Sequence, residues 1–243
     1  ERFTRLSSAL RADDGGGLSL EPGAQLVFGG DAVDKGGHDL AFLEALLALK
    51  EANPSRVHLI LGNRDINKMR IAAELAPQNW LPAAEHPGVY WRQHGSADGT
   101  AYTPAHFLAS LPPSLQVDSP ASRLKYMLAD NMGSPNAFEL RRAELSERRE
   151  GQPICDEDVL TSYTSSLDEG GVVRRYLQHA KLAVLLDGHL FVHGAVHEDT
   201  ISVVPGRTRC ESVSGWVEAL NAFAAAQVSE WTQAIDQGRA DSW

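Results

Sequence analysis

The fold is decided by two short stretches, Gly29–Gly36 (GGDAVDKG) and Leu61–Asp65 (LGNRD). Each closes an apolar run, because Val27 and Phe28 precede the first and Val57–Leu61 leads into the second. In both, a hydrophobic strand ends in glycine and is followed by an oxygen-bearing side chain and a charged one. Aspartate and asparagine oxygens suit divalent cations, whereas arginine and lysine suit phosphate. Since α/β proteins bind ligands at the carboxyl ends of their strands, the pattern predicts a metal or polyvalent-anion site there.

The segments around these stretches alternate between strand and helix patterns. We predict strands over Ala24–Phe28 and Val57–Leu61, and helices over Leu40–Ala52 and Asn67–Leu75. Strands that alternate with helices form parallel sheets with right-handed crossovers. This part of the chain is therefore predicted to be a βαβα unit of an α/β fold.

Residues 80–171 show a different pattern, with frequent prolines, short apolar runs and helical stretches between loops. We predict a mostly helical insertion or cap that lies over the sheet, so that residues 1–243 form a single domain. Within it, the charged run Arg141–Glu150 is predicted to be the solvent-facing surface of a helix. The helices predicted in this segment are Ala121–Met132, Ala137–Arg149 and Val159–Leu167.

A hairpin is predicted near the end of the chain. Asp187 and Gly188 stand between the apolar runs Leu182–Leu186 and Leu190–His193, which is a strong signal for a type I′ turn. We expect this hairpin to belong to a second sheet and its outgoing strand to end at His193. The remaining predicted helices are Phe3–Leu10, Val172–His179 and Ser214–Ile235.

The composition limits the classes of partner. Lys and Arg number 22 against 32 Asp and Glu, and the resulting net charge of −10 argues against nucleic acid. No apolar stretch approaches the roughly 20 residues that span a bilayer, and no targeting segment is visible. A soluble, intracellular protein is favoured, while a chain that begins at Glu1 leaves the compartment open. Cys155 and Cys210 are expected to be free thiols, because they have no CxxC spacing.

Three blocks of sequence, residues 30–36, 62–65 and 192–194, each stand at the end of a predicted strand. Their order, and the 32 residues from Asp31 to Asn63, are similar to those of the GDxxDRG, GNH(D/E) and HG blocks of calcineurin-like metallophosphoesterases. The resemblance covers residues 20–75 and 180–197. It implies a metallophosphoesterase-type two-sheet sandwich flanked by helices, with residues 80–171 inserted, that hydrolyses a phosphorylated small molecule or a phosphoprotein.

The resemblance also implies a role for each matching side chain. Asp31 would bridge two divalent cations (Mn, Fe or Zn), Asn63 would bind the second through its amide oxygen, and His193 would bind one through a ring nitrogen. Such a pair of cations holds the phosphate and activates a water molecule. The implied catalytic residues around them are Asp34, Arg64 and Asp65, and the implied phosphate contacts are Lys35 and Arg64.

Two departures from the family pattern leave a second hypothesis open. An opening Asp-x-His block and a closing histidine block are not found, and Arg64 stands where the family has the histidine that protonates the leaving group. Arginine stays charged and can only stabilise charge. Either the missing blocks lie outside these residues, the first one upstream of Glu1, or the protein has kept the fold and lost part of the site. The second hypothesis predicts a catalytically impaired binding or scaffold subunit of a larger complex.

Other polar residues near these blocks are predicted to have ordinary surface roles. Lys68 and Arg70 would lie on a solvated basic face of the helix that follows Asn63. His189, beside the hairpin turn, is expected to face solvent. His38 could reach a phosphate, but the polarity of a helix entry explains it equally well.

Overall fold

The computed structural model describes Thr4 and residues 7–89, 102–207 and 209–239. These residues form a mixed α/β structure in which helix predominates and the strands are short. The strands are β1 (Leu10–Ala12), β2 (Leu18–Leu20), β3 (Leu26–Phe28), β4 (Val57–Leu59), β5 (Ala183–Leu186) and β6 (His189–Val192). The helices are α1 (Asp39–Ala52), α2 (Asn63–Asn67), α3 (Met69–Glu74), α4 (Pro104–Ser110), α5 (Pro120–Tyr126), α6 (Ala137–Arg148), α7 (Asp156–Ser165), α8 (Val172–His179) and α9 (Val213–Asp236).

The predicted βαβ unit is present. Strands β3 and β4 pair in parallel, with Leu26 opposite Val57, and α1 connects them. The next helix begins at Asn63, four residues earlier than predicted. It starts there because Gly62 is extended and its N–H donates to the Asp65 carboxylate at 2.8 Å, which caps the first turn. The second motif is therefore the first turn of a helix rather than a loop before one.

The hairpin near the end of the chain is confirmed, and its turn is the predicted type. Asp187 and Gly188 have φ of 48° and 77°, the pair of positive values that a type I′ turn requires. Strands β5 and β6 form a two-stranded sheet, and a parallel bridge between Lys181 and Ile60 joins it to β4. Because β5 starts where β4 ends, the returning strand β6 brings His193 back to that same end.

The helical segment shares its hydrophobic core with the sheet. Buried side chains of α5–α8 form one cluster with those of α1, β4 and α9. The prediction of a solvent-facing surface over Arg141–Glu150 was wrong for Arg141 and Glu144, which are both buried. Glu144 accepts the N–H groups of Leu40 and Ala41 at 3.1 and 2.9 Å, and so satisfies donors at the start of α1 that have no partner within that helix.

Of the predicted helix Phe3–Leu10, residues 4 and 7–10 are described, and residues 7–10 are not helical, so the prediction was wrong there. Its last residue, Leu10, belongs to β1 and pairs with Leu20 in an antiparallel hairpin instead. The described strands form three two-stranded sheets, so the two-sheet sandwich stays a prediction. Cys155 and Cys210 are free thiols, as expected. Within the described ranges, every helix is too short or too polar to cross a membrane.

Asn221 on α9 holds the hairpin in place. Its Oδ1 accepts the N–H groups of Leu182 and Ala183 at 3.0 and 3.2 Å, and its Nδ2 donates to the Ala183 carbonyl at 2.9 Å. We expect Asn221→Ala to lower the free energy of unfolding by about 1–3 kcal/mol, because it leaves these backbone groups unpaired. Hydrogen exchange at the amides of Leu182 and Ala183 should accelerate. Glu230→Ala, at an exposed position of the same helix, is the control, and equal exchange in both variants would contradict this role.

Candidate metal centre

Two glycines allow the loops after β3 and β4 to touch. Gly30 has a φ of 90°, and a Cβ at this position would lie 2.7 Å from the Gly62 nitrogen and 2.9 Å from His193 Nδ1. A Cβ at Gly62 would lie 2.3 Å from both the backbone nitrogen and Oδ1 of Asp31. Only glycine fits at either position. Asp31 itself has a φ of 55°, a left-handed conformation that non-glycine residues rarely adopt and that often marks functional sites.

Asp65 connects the loops that follow β3 and β4 through hydrogen bonds to their backbones. Its carboxylate accepts the backbone N–H groups of Asp31 at 3.0 Å, Ala32 at 2.9 Å and Gly62 at 2.8 Å. The residue is only 1% exposed, and burial raises the pKa of its carboxyl, an effect that these three hydrogen bonds oppose. Asp65 therefore lies in the interior next to the site, where it fixes the backbone of Asp31.

Three side chains predicted to bind metal converge at the ends of β3, β4 and β6. His193 Nε2 lies 3.4 Å from Oδ1 of Asp31 and 3.2 Å from Oδ1 of Asn63. The other ring nitrogen, Nδ1, lies 2.8 Å from the Gly29 carbonyl oxygen. The side chains of Asp31 and His193 are one quarter exposed, and Asn63 is open to solvent, so an ion from solution can reach the cluster.

The donor atoms of this cluster include types that bind divalent cations. The Gly29 carbonyl can only accept, so Nδ1 of His193 carries a hydrogen and donates to it. In the neutral ring, Nε2 then presents a lone pair to the oxygens of Asp31 and Asn63. In that form, a cation between these three atoms would stabilise them. A hydrogen bond from one ring nitrogen to a backbone carbonyl is also how metal-binding histidines are usually oriented.

Arg64 lies beside the cluster of Asp31, Asn63 and His193. Its Nε lies 3.2 Å from Oδ2 of Asp31, and its backbone N–H donates to Oδ1 of the same carboxylate at 3.1 Å. Its Nη1 donates to the Met132 carbonyl at 2.6 Å and to the Ser134 hydroxyl. The guanidinium is thus held between the site and the helical segment, where it can stabilise negative charge.

Asp34 lies away from the cluster, in the protein interior. Its carboxylate forms a buried ion pair with Lys68 and accepts a hydrogen bond from the Tyr163 hydroxyl at 3.3 Å. Burial, together with the charge of Asp34, raises the pKa of Tyr163 well above its usual value, so its hydroxyl remains a neutral donor. The prediction of a solvated face was therefore wrong for Lys68, whose side chain is 1% exposed because Asp34 neutralises its charge inside the core.

Lys35 and His38 point away from this interior. Lys35 is exposed, and the structure gives it no hydrogen bond or ion pair within the described ranges. His38 is also exposed and lies 3.5 Å from the Glu147 carboxylate. Next to them, Asp39 is buried at the start of α1 and accepts the N–H of Asp34 at 2.8 Å; burial raises the pKa of Asp39 to about 6. Lys35 is therefore free to meet a ligand from solution, whereas Asp39 shapes the loop.

Sequence reasoning missed four residues that support the site. For Lys68 the sequence held one indication of a role near the site, because a residue four positions after Arg64 lies on the same face of a helix. The other three are far from the motifs in sequence and had no local signal: Met132, Ser134 and Tyr163.

The ligand set of the cluster is small. In the part of the chain that the structure describes, no three His, Cys, Asp or Glu side chains lie together as a metal site would need. The cluster supplies two such residues, Asp31 and His193, and its third possible ligand is the amide of Asn63. Together these three side chains could contribute ligands to at most one cation. A comparison with known proteins finds no matching family model, curated protein or solved structure.

The buried ion pair gives a stability prediction. Lys68→Met leaves the Asp34 carboxylate buried without its counter-ion, and we expect a loss of about 3–5 kcal/mol in the free energy of unfolding. Urea denaturation followed by circular dichroism measures it. Lys35→Met removes the same charge from an exposed side chain and should change stability by less than about 0.5 kcal/mol. Similar midpoints for the two variants would show that the pair contributes little.

The contact between the loops that follow β3 and β4 gives a second stability prediction. Gly62→Ala places a methyl group against Asp31, and we expect overpacking to lower the free energy of unfolding by about 1–3 kcal/mol. Gly36→Ala is the matched control, since a Cβ there has no neighbour within 4 Å. Thermal unfolding of the two variants compares them. A melting temperature for Gly62→Ala equal to that of the wild type would mean that the loops separate without cost.

Proposed function

We propose that this protein is a metal-dependent phosphoesterase that acts at the cluster of Asp31, Asn63 and His193. The single observation that supports it most is the approach of Asp31 and Asn63 oxygens to Nε2 of His193. The residues resemble metallophosphoesterase blocks, and their arrangement fits a divalent cation. For the fold, we propose the two-sheet sandwich that this resemblance implies. The parallel pair β3–β4 and the hairpin joined to it support this proposal.

The proposed roles follow from the contacts. Asp31, Asn63 and His193 would hold the cation, which when bound supplies a water of lowered pKa and a positive charge for the phosphate. Arg64 would stabilise the negative charge that grows on the phosphate oxygens during hydrolysis, because its guanidinium is fixed beside Asp31. Asp65 would keep the Asp31 backbone in place.

The exposed positive charge of Lys35 suits recognition of the substrate phosphate from the solvent side. Asp34 would not contact the substrate and would influence the site only through its ion-pair partner Lys68, because both side chains are buried. A phosphorylated small molecule or a phosphoprotein is the proposed substrate. The net charge of −10 is compatible with such a substrate, since the charge at the cluster and not the total decides binding of a small anion.

A second candidate function is that of a binding or scaffold subunit that performs no turnover. The observation that favours it is the contact of Arg64 with Asp31, at a position where the enzymes that the motifs resemble have a histidine that can donate a proton. Arginine cannot take that role at neutral pH. The two functions differ in turnover, so one assay separates them.

The test uses purified protein with Mn²⁺ and p-nitrophenyl phosphate. We expect Mn²⁺-dependent hydrolysis by the wild type and a loss of at least about 100-fold in kcat/KM for Asp31→Asn and His193→Ala, because each removes a ligand. His189→Ala, at the other end of β6, is the matched control and should retain full activity.

Isothermal titration with Mn²⁺ completes the test. Tight binding that His193→Ala weakens, together with hydrolysis, supports the phosphoesterase. The same binding without hydrolysis of any phosphate ester supports the scaffold function. Hydrolysis that Asp31→Asn leaves unchanged would remove the proposed mechanism.

A further inference from the structure

We infer that the site holds a single divalent cation and that the guanidinium of Arg64 provides the positive charge on the other side of the Asp31 carboxylate. The inference rests on the proposed function and narrows it, because the resemblance implies two cations. The structural basis is that the two carboxylate oxygens of Asp31 have different surroundings.

Oδ1 of Asp31 faces the open part of the cluster. It lies 3.4 Å from His193 Nε2, and Asn63 Oδ1 lies 3.2 Å from that same nitrogen. One cation can therefore contact a carboxylate oxygen, an amide oxygen and an imidazole nitrogen, a donor set that suits Mn²⁺ or Zn²⁺.

Oδ2 of Asp31 faces the guanidinium. Arg64 Nε is 3.2 Å away, so the position that a second cation would take beside this oxygen already has a positive charge. In a carboxylate that bridges two cations, each oxygen contacts one of them. Here one of the two contacts is made by arginine, which remains charged at every relevant pH.

The guanidinium is also fixed where it is. The Met132 carbonyl and the Ser134 hydroxyl both accept from Nη1, and the side chain is only 12% exposed. It cannot move aside for a cation without losing these bonds and leaving a carbonyl unpaired. A second divalent cation would also repel it at short range.

The described residues contain no second cluster of His, Cys, Asp or Glu side chains that would hold another cation. Besides Asp31 and His193, no other His, Cys, Asp or Glu of the described ranges joins them in a group of three. Nη2 of Arg64, in contrast, makes no hydrogen bond within the described part of the chain. It can donate to a phosphate oxygen and thus supply the charge that a second cation supplies in a two-metal site.

The first experiment measures how many cations the wild-type chain binds. After equilibrium dialysis against Mn²⁺, we expect one equivalent per chain by elemental analysis, with the electron paramagnetic resonance spectrum of an isolated ion. Two equivalents with a spin-coupled spectrum would overturn the single-cation inference and leave the proposed phosphoesterase intact. No bound Mn²⁺ would overturn both.

The second experiment tests the charge of Arg64 directly. Arg64→Gln removes a positive charge beside Asp31, so the affinity for Mn²⁺ should rise at least about threefold in isothermal titration. Arg149→Gln makes the same change in net charge at an exposed position and should leave the affinity unchanged. An unchanged or lower affinity in Arg64→Gln would mean that the guanidinium does not act as the second positive charge, and would overturn its assignment.

Discussion

The carboxylate of Asp65 accepts backbone N–H groups from the ends of two neighbouring strands, at Asp31, Ala32 and Gly62, and the remainder of the site is arranged around that connection. Hydrogen bonds to a charged group contribute about 1.5–3 kcal/mol each, which offsets the cost of burying the carboxylate. Because the backbone of Asp31 is held in a left-handed conformation, its side chain points toward Asn63 and His193 instead of into solvent. The two glycines permit this arrangement, since any side chain at Gly30 or Gly62 would separate the loops.

The helical segment contributes to the site as well as to the hydrophobic core. Met132 and Ser134 position the guanidinium of Arg64, and Tyr163 completes the surroundings of the buried Asp34–Lys68 pair. The same segment supplies Glu144, which caps α1. These polar contacts are buried, so each partner depends on the others for its hydrogen bonds and charge balance. A loop that carries left-handed residues is thereby held in one conformation, which is what an ordered binding site requires.

Much of the local structure could be predicted from the sequence. The glycine at a strand end, the Asp-Gly turn and the long apolar periodicity of α9 act over a few residues, and their elements lie close to where the patterns indicate. The predictions failed at the start of the chain, where strand β1 replaces the end of a predicted helix, and where charged residues turned out to be buried. Lys68, Arg141 and Glu144 look like surface residues in the sequence, because lysine, arginine and glutamate are rarely enclosed. Lys68 is neutralised by Asp34, and Glu144 accepts backbone N–H groups of α1, so these partners lie far away in sequence and no local pattern reveals them.

The sequence by itself determined which side chains stand at the ends of the strands: an aspartate, an asparagine beside an arginine, and a histidine before a glycine. Only the tertiary structure decided that these groups meet. His193 lies 130 residues from Asn63, and the pairing of Lys181 with Ile60 sets the register that returns β6 to the site. The tertiary structure also decided that Arg64 faces Asp31 and not solvent, through contacts with Met132 and Ser134. Local propensities reach a few residues, whereas strand register and buried hydrogen bonds depend on how distant segments pack.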